Sequence, residues 1–266
     1  MRSVFGKTLR ENRRSLPAWM IAVAMLVVWI GSVFPSISHN TQFDKLLENY
    51  PEAFKKLFGL TGGISMTSGV GYLQTELFSM MLPICFLIFA ISAGSRAIAG
   101  EEDARTIDLL LANPITRRRV LLEKYSAFLV MTAALSVVAF AALAGIDTAF
   151  SMDVAISRLA EGVLVNTVLA VHFAAFSQAA GAISGHRGAA VAAGASFAVA
   201  ALLWNGLAAL NSSLDRFRFL SPWYHGPGTD PLRNGLAIDH LAILLGAGVA
   251  WLAIAVVALE RRDIAT

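Results

Sequence analysis

Six apolar runs, each about 20 residues long, constrain this chain more than any other feature. They fall near residues 17–36, 77–99, 125–146, 163–184, 189–210 and 238–259. As a helix, such a run crosses the roughly 30 Å hydrocarbon core of a bilayer. A helix also satisfies its own backbone N–H and C=O groups, which lipid cannot do. The third and fourth runs taken alone would suit buried helices of a soluble protein, but six in 266 residues leave little polar surface. Only 15% of residues are charged, against about 25% in ordinary soluble domains. The first run is too long for a signal-peptide core and no convincing small-residue cleavage site follows it, so it is read as a retained span. The expected fold is all-α: one polytopic membrane domain over 1–266 with six transmembrane helices.

Charge sets the expected orientation. With the N-terminus inside, 14 of the 21 Lys and Arg residues fall on inner segments, whereas 10 of the 18 acids fall on outer ones. Both termini are therefore expected in the cytoplasm. The net charge of +3 reflects this bias and gives no sign of nucleic-acid binding. The single cysteine, Cys85, lies in the second run and excludes an intrachain disulfide.

Between the runs lie four segments of distinct character. Residues 1–16 read as an amphipathic interfacial helix, with Phe5, Leu9 and Leu16 on one face and Lys7, Arg10 and Arg14 on the other. Such a helix lies among lipid headgroups, as an anchor alone or also as part of a docking surface. Residues 37–76 form the longest outer segment, a cap or lid ending in a glycine-rich linker over 59–71 that returns the chain to the membrane. Residues 211–237 hold Phe217, Phe219, Leu220, Pro222, Trp223 and Tyr224. They are too apolar for a free loop and too interrupted for a seventh span. A pair of short helices dipping into the outer leaflet fits, acting as an interfacial anchor or as an outer gate built on Leu220, Pro222, Trp223 and Tyr224. Within the second run, Pro83 is placed to kink the helix.

The fourth segment, residues 100–124, reads GEEDARTIDLLLANPITRRRVLLEK. Glu101, Arg105 and Asp108 share one helical face at i, i+4 and i+7. Ala104, Ile107 and Leu111 share another, with Leu110 beside them. This predicts a short amphipathic helix over 101–113, stopped at Asn113-Pro114, its charged face open to solvent. Thr116 is a good cap for the next helix, which opens with Arg117, Arg118 and Arg119. The bland alternative is a solvated loop helix that obeys the charge rule.

Gly100-Glu101-Glu102, Thr106, Leu109-Leu110-Leu111, Pro114, Arg117 and Lys124 resemble the segment between the second and third spans of type-2 ABC exporter permeases. The order of basic interfacial helix, six spans, short inner loop after the fourth and outer element before the sixth is similar too. The motif covers about 25 residues and the layout nearly the whole chain. Arg105 stands where that family often has Gly. The resemblance implies that the segment is a coupling helix seated on an ATP-hydrolysing subunit, with Glu101, Glu102, Arg105, Thr106, Asp108, Leu110 and Pro114 in contact. It implies a transport subunit rather than an enzyme, and two ABC ATPase subunits. It further implies a second permease, identical or paralogous, lipid around the bundle, and export across a bacterial or archaeal cytoplasmic membrane. No G-x-x-x-x-G-K-[ST] loop occurs, so no bound cofactor is expected here, and ATP and Mg²⁺ are expected on the partner.

Other polar residues give weaker leads. Asn166, His172, Gln178 and Asn205 lie within or near spans, where hydrogen bonding between helices is expected. Asn166, His172 and Gln178 are spaced by six and do not line one face, against a proton relay. Gly181, Gly185, Ala190 and Gly194 permit close helix packing. Adjacent acids 101–103 diverge, against a metal site, and no catalytic constellation stands out. A membrane-embedded enzyme or scaffold and an ion-driven transporter are the competing readings; the first wants clustered His or acids, the second an acid deep in a span.

Overall fold

The computed structural model describes residues 3–38, 65–106 and 115–262. Eight helices carry the architecture: α1 (Val4–Glu11), α2 (Ser15–Ser38), α3 (Gly69–Ala97), α4 (Ala99–Asp103), α5 (Arg117–Phe150), α6 (Ile156–Ser184), α7 (Arg187–Leu210) and α8 (Ile238–Arg261). Six of them, α2, α3 and α5 to α8, are long and apolar enough to span a membrane. Five of them contain one of the six runs, and α3 carries the second to within its last two residues.

Local chemistry places the ends. The Ser3 hydroxyl accepts from the Gly6 N–H and opens α1, the Ser68 hydroxyl accepts from Gly71 and opens α3, and the expected Thr116 cap accepts from Arg119 and opens α5. α6 ends on Gly185 at φ 71°, a left-handed position that glycine adopts without strain. Gly185 thus makes the turn into α7, while Gly181 provides the close approach, against Ala99 and Ala190.

α6 is the hub. It packs on α3, α8, α7 and α5, and 67% of its most apolar window is buried. Gly94 of α3 meets the Ala174 carbonyl of α6 so closely that a Cβ there would collide with backbone. A large core joins Phe34, Tyr72, Phe78, Phe86 and Leu135, and the Tyr72 hydroxyl donates to the Ile30 carbonyl at 2.7 Å. The outer helices behave oppositely: α2 and α8 bury only 28% and 22% of their apolar windows. Ile21, Met25 and Trp29 on α2 and Val249 and Val257 on α8 are exposed. An apolar outer surface of that extent is a surface for lipid.

Two expectations about α3 change. Residues 69–71 are helix rather than linker, because Gly69 and Gly71 are buried and a Cβ on Gly69 would strike the Met152 backbone. Within the outer segment 37–76, residues 39–64 lie outside the described residues. The irregularity expected at Pro83 is a π-helical stretch, Gln74–Met81, which returns to α-helix just before the proline. Pro83 has no N–H for the Ser79 carbonyl, and the π-helical stretch ends two residues before it.

Candidate functional site

One end of the bundle gathers α1, α4, the start of α5, the α6–α7 turn and the end of α8. Its centre is Glu101, on α4 and 9% exposed. The Lys124 ammonium, on α5, donates to Glu101 Oε1 at 2.6 Å, Lys7 of α1 lies 3.3 Å away, and the Thr106 hydroxyl donates to Oε2. Burial alone pushes the Glu101 carboxyl up. The hydrogen bonds from Lys124 and Thr106 and the charges of Lys124 and Lys7 outweigh it and hold the group below its ordinary value.

Its two neighbours reach elsewhere. Glu102 pairs with Arg262 just beyond α8, and Arg262 also donates to the Ala182 carbonyl of α6 at 2.6 Å. Asp103 accepts from the Arg187 N–H at the start of α7 at 3.0 Å. Successive helical residues point about 100° apart, so three adjacent acids tie one short helix to three different parts of the bundle. Arg117 adds bonds from α5 to the Leu259 and Arg262 carbonyls, at 2.9 and 2.7 Å. Glu123 accepts from the Phe5 N–H at 3.1 Å and holds α1 to α5. Beside this network lies a cavity of about 620 Å³ lined by Lys7, Arg96, Lys124, Phe128, Met131 and Arg187, among others.

Three expectations are corrected here. No single helix runs over 101–113: α4 stops at Asp103 and Arg105 sits at φ 52°, a left-handed step that ends it. Asp108, Leu110 and Pro114 lie outside the described residues. Glu101 and Glu102 offer no open charged face, because both are turned into the bundle and paired; Asp103, Ala104 and Arg105 are the exposed positions, with Thr106 half-buried. The third concerns residues 1–16, where α1 and α2 are separated by a turn at 12–14. Lys7 leaves the outward face of α1 to meet Glu101, while Arg10 and Arg14 stay exposed. Arg117 and Lys124 appear in the sequence only as motif residues, and Arg262 only as an inner charge; that they partner this network is not legible there. Its available signal was the run of three acids that cannot share a face.

The opposite end carries residues 211–237. Where a pair of short helices was expected, the chain makes five short pieces, none beyond four residues: Ser212–Asp215, Arg218–Leu220, Pro222–His225, Pro227–Thr229 and Pro231–Asn234. From Pro222 onward, prolines at 222, 227 and 231 and glycines at 226, 228 and 235 interrupt the chain and allow nothing longer. The Ser221 hydroxyl donates to the Ala201 carbonyl at 2.7 Å, and Trp223 is buried against α6, α7 and α8. Of the four expected gate residues, Pro222 and Trp223 face the bundle, Tyr224 is half-buried, and Leu220 stands out at 62% exposure beside Phe217 and Phe219.

A family model described as ABC-2 family transporter protein matches residues 2–264. The chain belongs to the ABC-2 transporter family. No curated protein matches the sequence. The match spans every helix just described, so this is a multi-pass membrane permease, a transport subunit by family.

Of the four polar residues expected within or near spans, three bond to backbone carbonyls of the bundle. Gln178 donates to the Leu121 carbonyl of α5 at 3.1 Å, and His172 Nδ1 lies 3.3 Å from the Leu244 carbonyl of α8, both between helices as expected. Asn166 instead donates within α6, to the Gly162 carbonyl, and Asn205 accepts from Arg218 of the segment above it.

Proposed function

We propose that the permease is the membrane subunit of an ATP-driven exporter. ATP and Mg²⁺ bind to separate ABC ATPase subunits, two per assembly, that dock on the clamped end of the bundle. A second permease, identical or paralogous, completes the pathway. On the charge asymmetry, that end and both termini face the cytoplasm of a bacterial or archaeal cell. The observation that carries the reading is the clamp on α4. The residues leading into the segment after it are fixed through Glu101, Glu102 and Asp103 to α1, α5, α7 and the end of α8. A force applied at 103–106 therefore reaches most of the bundle. Contact falls to Asp103 and Arg105, which are exposed, and to Thr106, Asp108, Leu110 and Pro114; Glu101 and Glu102 stiffen the lever.

The test uses the purified permease with its ATPase subunit in liposomes. Alone, the permease hydrolyses no ATP. In a Cys85→Ala background, a cysteine at Arg105 cross-links to the ATPase subunit. Arg105→Glu lowers transport per ATP hydrolysed while shifting stability by no more than about 0.5 kcal/mol, as exposed substitutions do. Undiminished coupling in Arg105→Glu together with no cross-link would remove this docking surface.

A further inference from the structure

His225 and His240 stand at the end of the bundle away from the clamp, and nothing in the transport reading uses them. His225 ends the turn Pro222–His225; His240 lies in the first turn of α8. Their Nδ1 atoms face each other at 3.1 Å. His225 Nε2 is 2.7 Å from the Phe219 carbonyl. A carbonyl only accepts, so Nε2 carries the hydrogen and Nδ1 of His225 presents a bare lone pair. On the other ring, Nε2 lies 3.8 Å from the Asp239 carboxylate, again leaving Nδ1 as the inward nitrogen.

We infer that His225 and His240 form a two-imidazole binding site for a divalent transition ion, Zn²⁺ or Cu²⁺. The geometry fits. With metal–nitrogen bonds of about 2.0–2.1 Å, nitrogens 3.1 Å apart subtend roughly 100° at the ion, close to a tetrahedral angle. Imidazole suits both ions. The rear nitrogen of His225 has a support that metal-bound histidines use, a backbone carbonyl; behind His240 the exposed Asp239 carboxylate stands 3.8 Å away, short of a hydrogen bond. The site is also held in place before any ion arrives. His225 is 5% exposed, and its turn is pinned by the Ser221 bond to Ala201 and by buried Trp223. The His240 side chain, 22% exposed, leaves an approach from solvent, and water completes the coordination. Binding requires the hydrogen that His240 Nδ1 otherwise donates to His225 Nδ1 to move to His240 Nε2, on the Asp239 side, so both rings bind as neutral imidazoles with no net proton release. The ion would fasten the 211–237 segment to the last span.

The test takes tag-free, full-length permease in nanodiscs. Zn²⁺ is titrated calorimetrically, and Cu²⁺ is added for pulsed electron paramagnetic resonance. The expected result is one Zn²⁺ per chain and a Cu²⁺ spectrum with two imidazole nitrogens. His225→Gln or His240→Gln should weaken Zn²⁺ by on the order of tenfold or more and leave at most one imidazole. His186→Gln, a histidine at the other end, should change neither. A melting curve confirms that each variant is folded; His240→Gln, on the more exposed ring, carries the test if His225→Gln is not. No Zn²⁺ binding by wild type, or equal binding by wild type and a folded His240→Gln, would leave a plain His–His hydrogen bond and overturn the site.

Discussion

Replacing Glu101 by Gln should destabilise the permease far more than removing Lys7, though both residues belong to one ion cluster. The Lys124 side chain is 5% exposed, and Glu101 is its one ion-pair partner among the described residues. Glu101→Gln leaves that ammonium buried without a counter-charge. Breaking a buried pair from one side costs about 3–5 kcal/mol. At about 2–4 °C per kcal/mol for a chain of this order of size, the melting temperature should fall on the order of 10 °C. Lys7 is 38% exposed, and its loss leaves the shorter 2.6 Å bond from Lys124 to Glu101 intact. Lys7→Ala should therefore cost about 0–1 kcal/mol. The double variant Glu101→Leu, Lys124→Met removes both charges and should recover most of the loss, since apolar replacement of a whole buried pair is often neutral. The assay is thermal unfolding in nanodiscs followed by tryptophan fluorescence. Equal shifts for Glu101→Gln and Lys7→Ala, or a double variant no better than Glu101→Gln, would refute the assignment of Glu101 and Lys124 as the buried core of the cluster.

The pH dependence follows from the same group. Because the folded-state Glu101 carboxyl is held below its ordinary value, its contribution is present at neutral pH and is lost as pH falls through the ordinary carboxylate range toward the depressed value. Acid melting curves of wild type and Glu101→Gln should converge there. For orientation, in a Cys85→Ala background a cysteine replacing exposed Arg216 should react with an impermeant thiol reagent on sealed cells, and one replacing exposed Arg118 should not; labelling of the Arg118 position would invert the topology. Gly94→Leu should separate α3 from α6 and cost several kcal/mol in melting experiments, whereas Gly246→Leu, where a Cβ meets nothing within 4 Å, should cost far less.

The spans were legible because hydrophobicity over 20 residues is a local property, and each of the six runs falls in a long helix, the second running two residues past the end of α3. The Thr116 cap was legible for the same reason. What sequence missed depends on distance along the chain. Glu101 meets residues 94 positions before it and 23 after it, and Glu102 meets one 160 positions away. No helical period over 101–113 can register such partners, so the periodic reading kept Glu101 on an outer face with Arg105 and Asp108 and left the helix unbroken. Arg105, standing where a resembling family often has Gly, was the local hint of a break: its left-handed backbone is one that glycine adopts freely. The aromatic and proline content of 211–237 marked it as packed rather than free, but not which of its rings turn inward.

On the proposed reading, the divergence of three adjacent acids separates two kinds of defect. A variant at Arg105 alters what the partner touches and leaves the lever as stiff as before, so hydrolysis and transport should come apart with the melting temperature unchanged. A variant at Glu101 or Arg262 leaves the contact surface intact and loosens its attachment to α1, α5 or α8. There the partner still docks, but less of the push reaches the spans, and coupling should fall in step with stability. Placing both classes on one plot of coupling against melting temperature distinguishes them: Arg105 variants should drop vertically, while Glu101 and Arg262 variants should follow a slope. If the Arg105 variants follow that slope as well, residues 103–106 act through the fold rather than through contact, and docking belongs to another part of this end of the bundle.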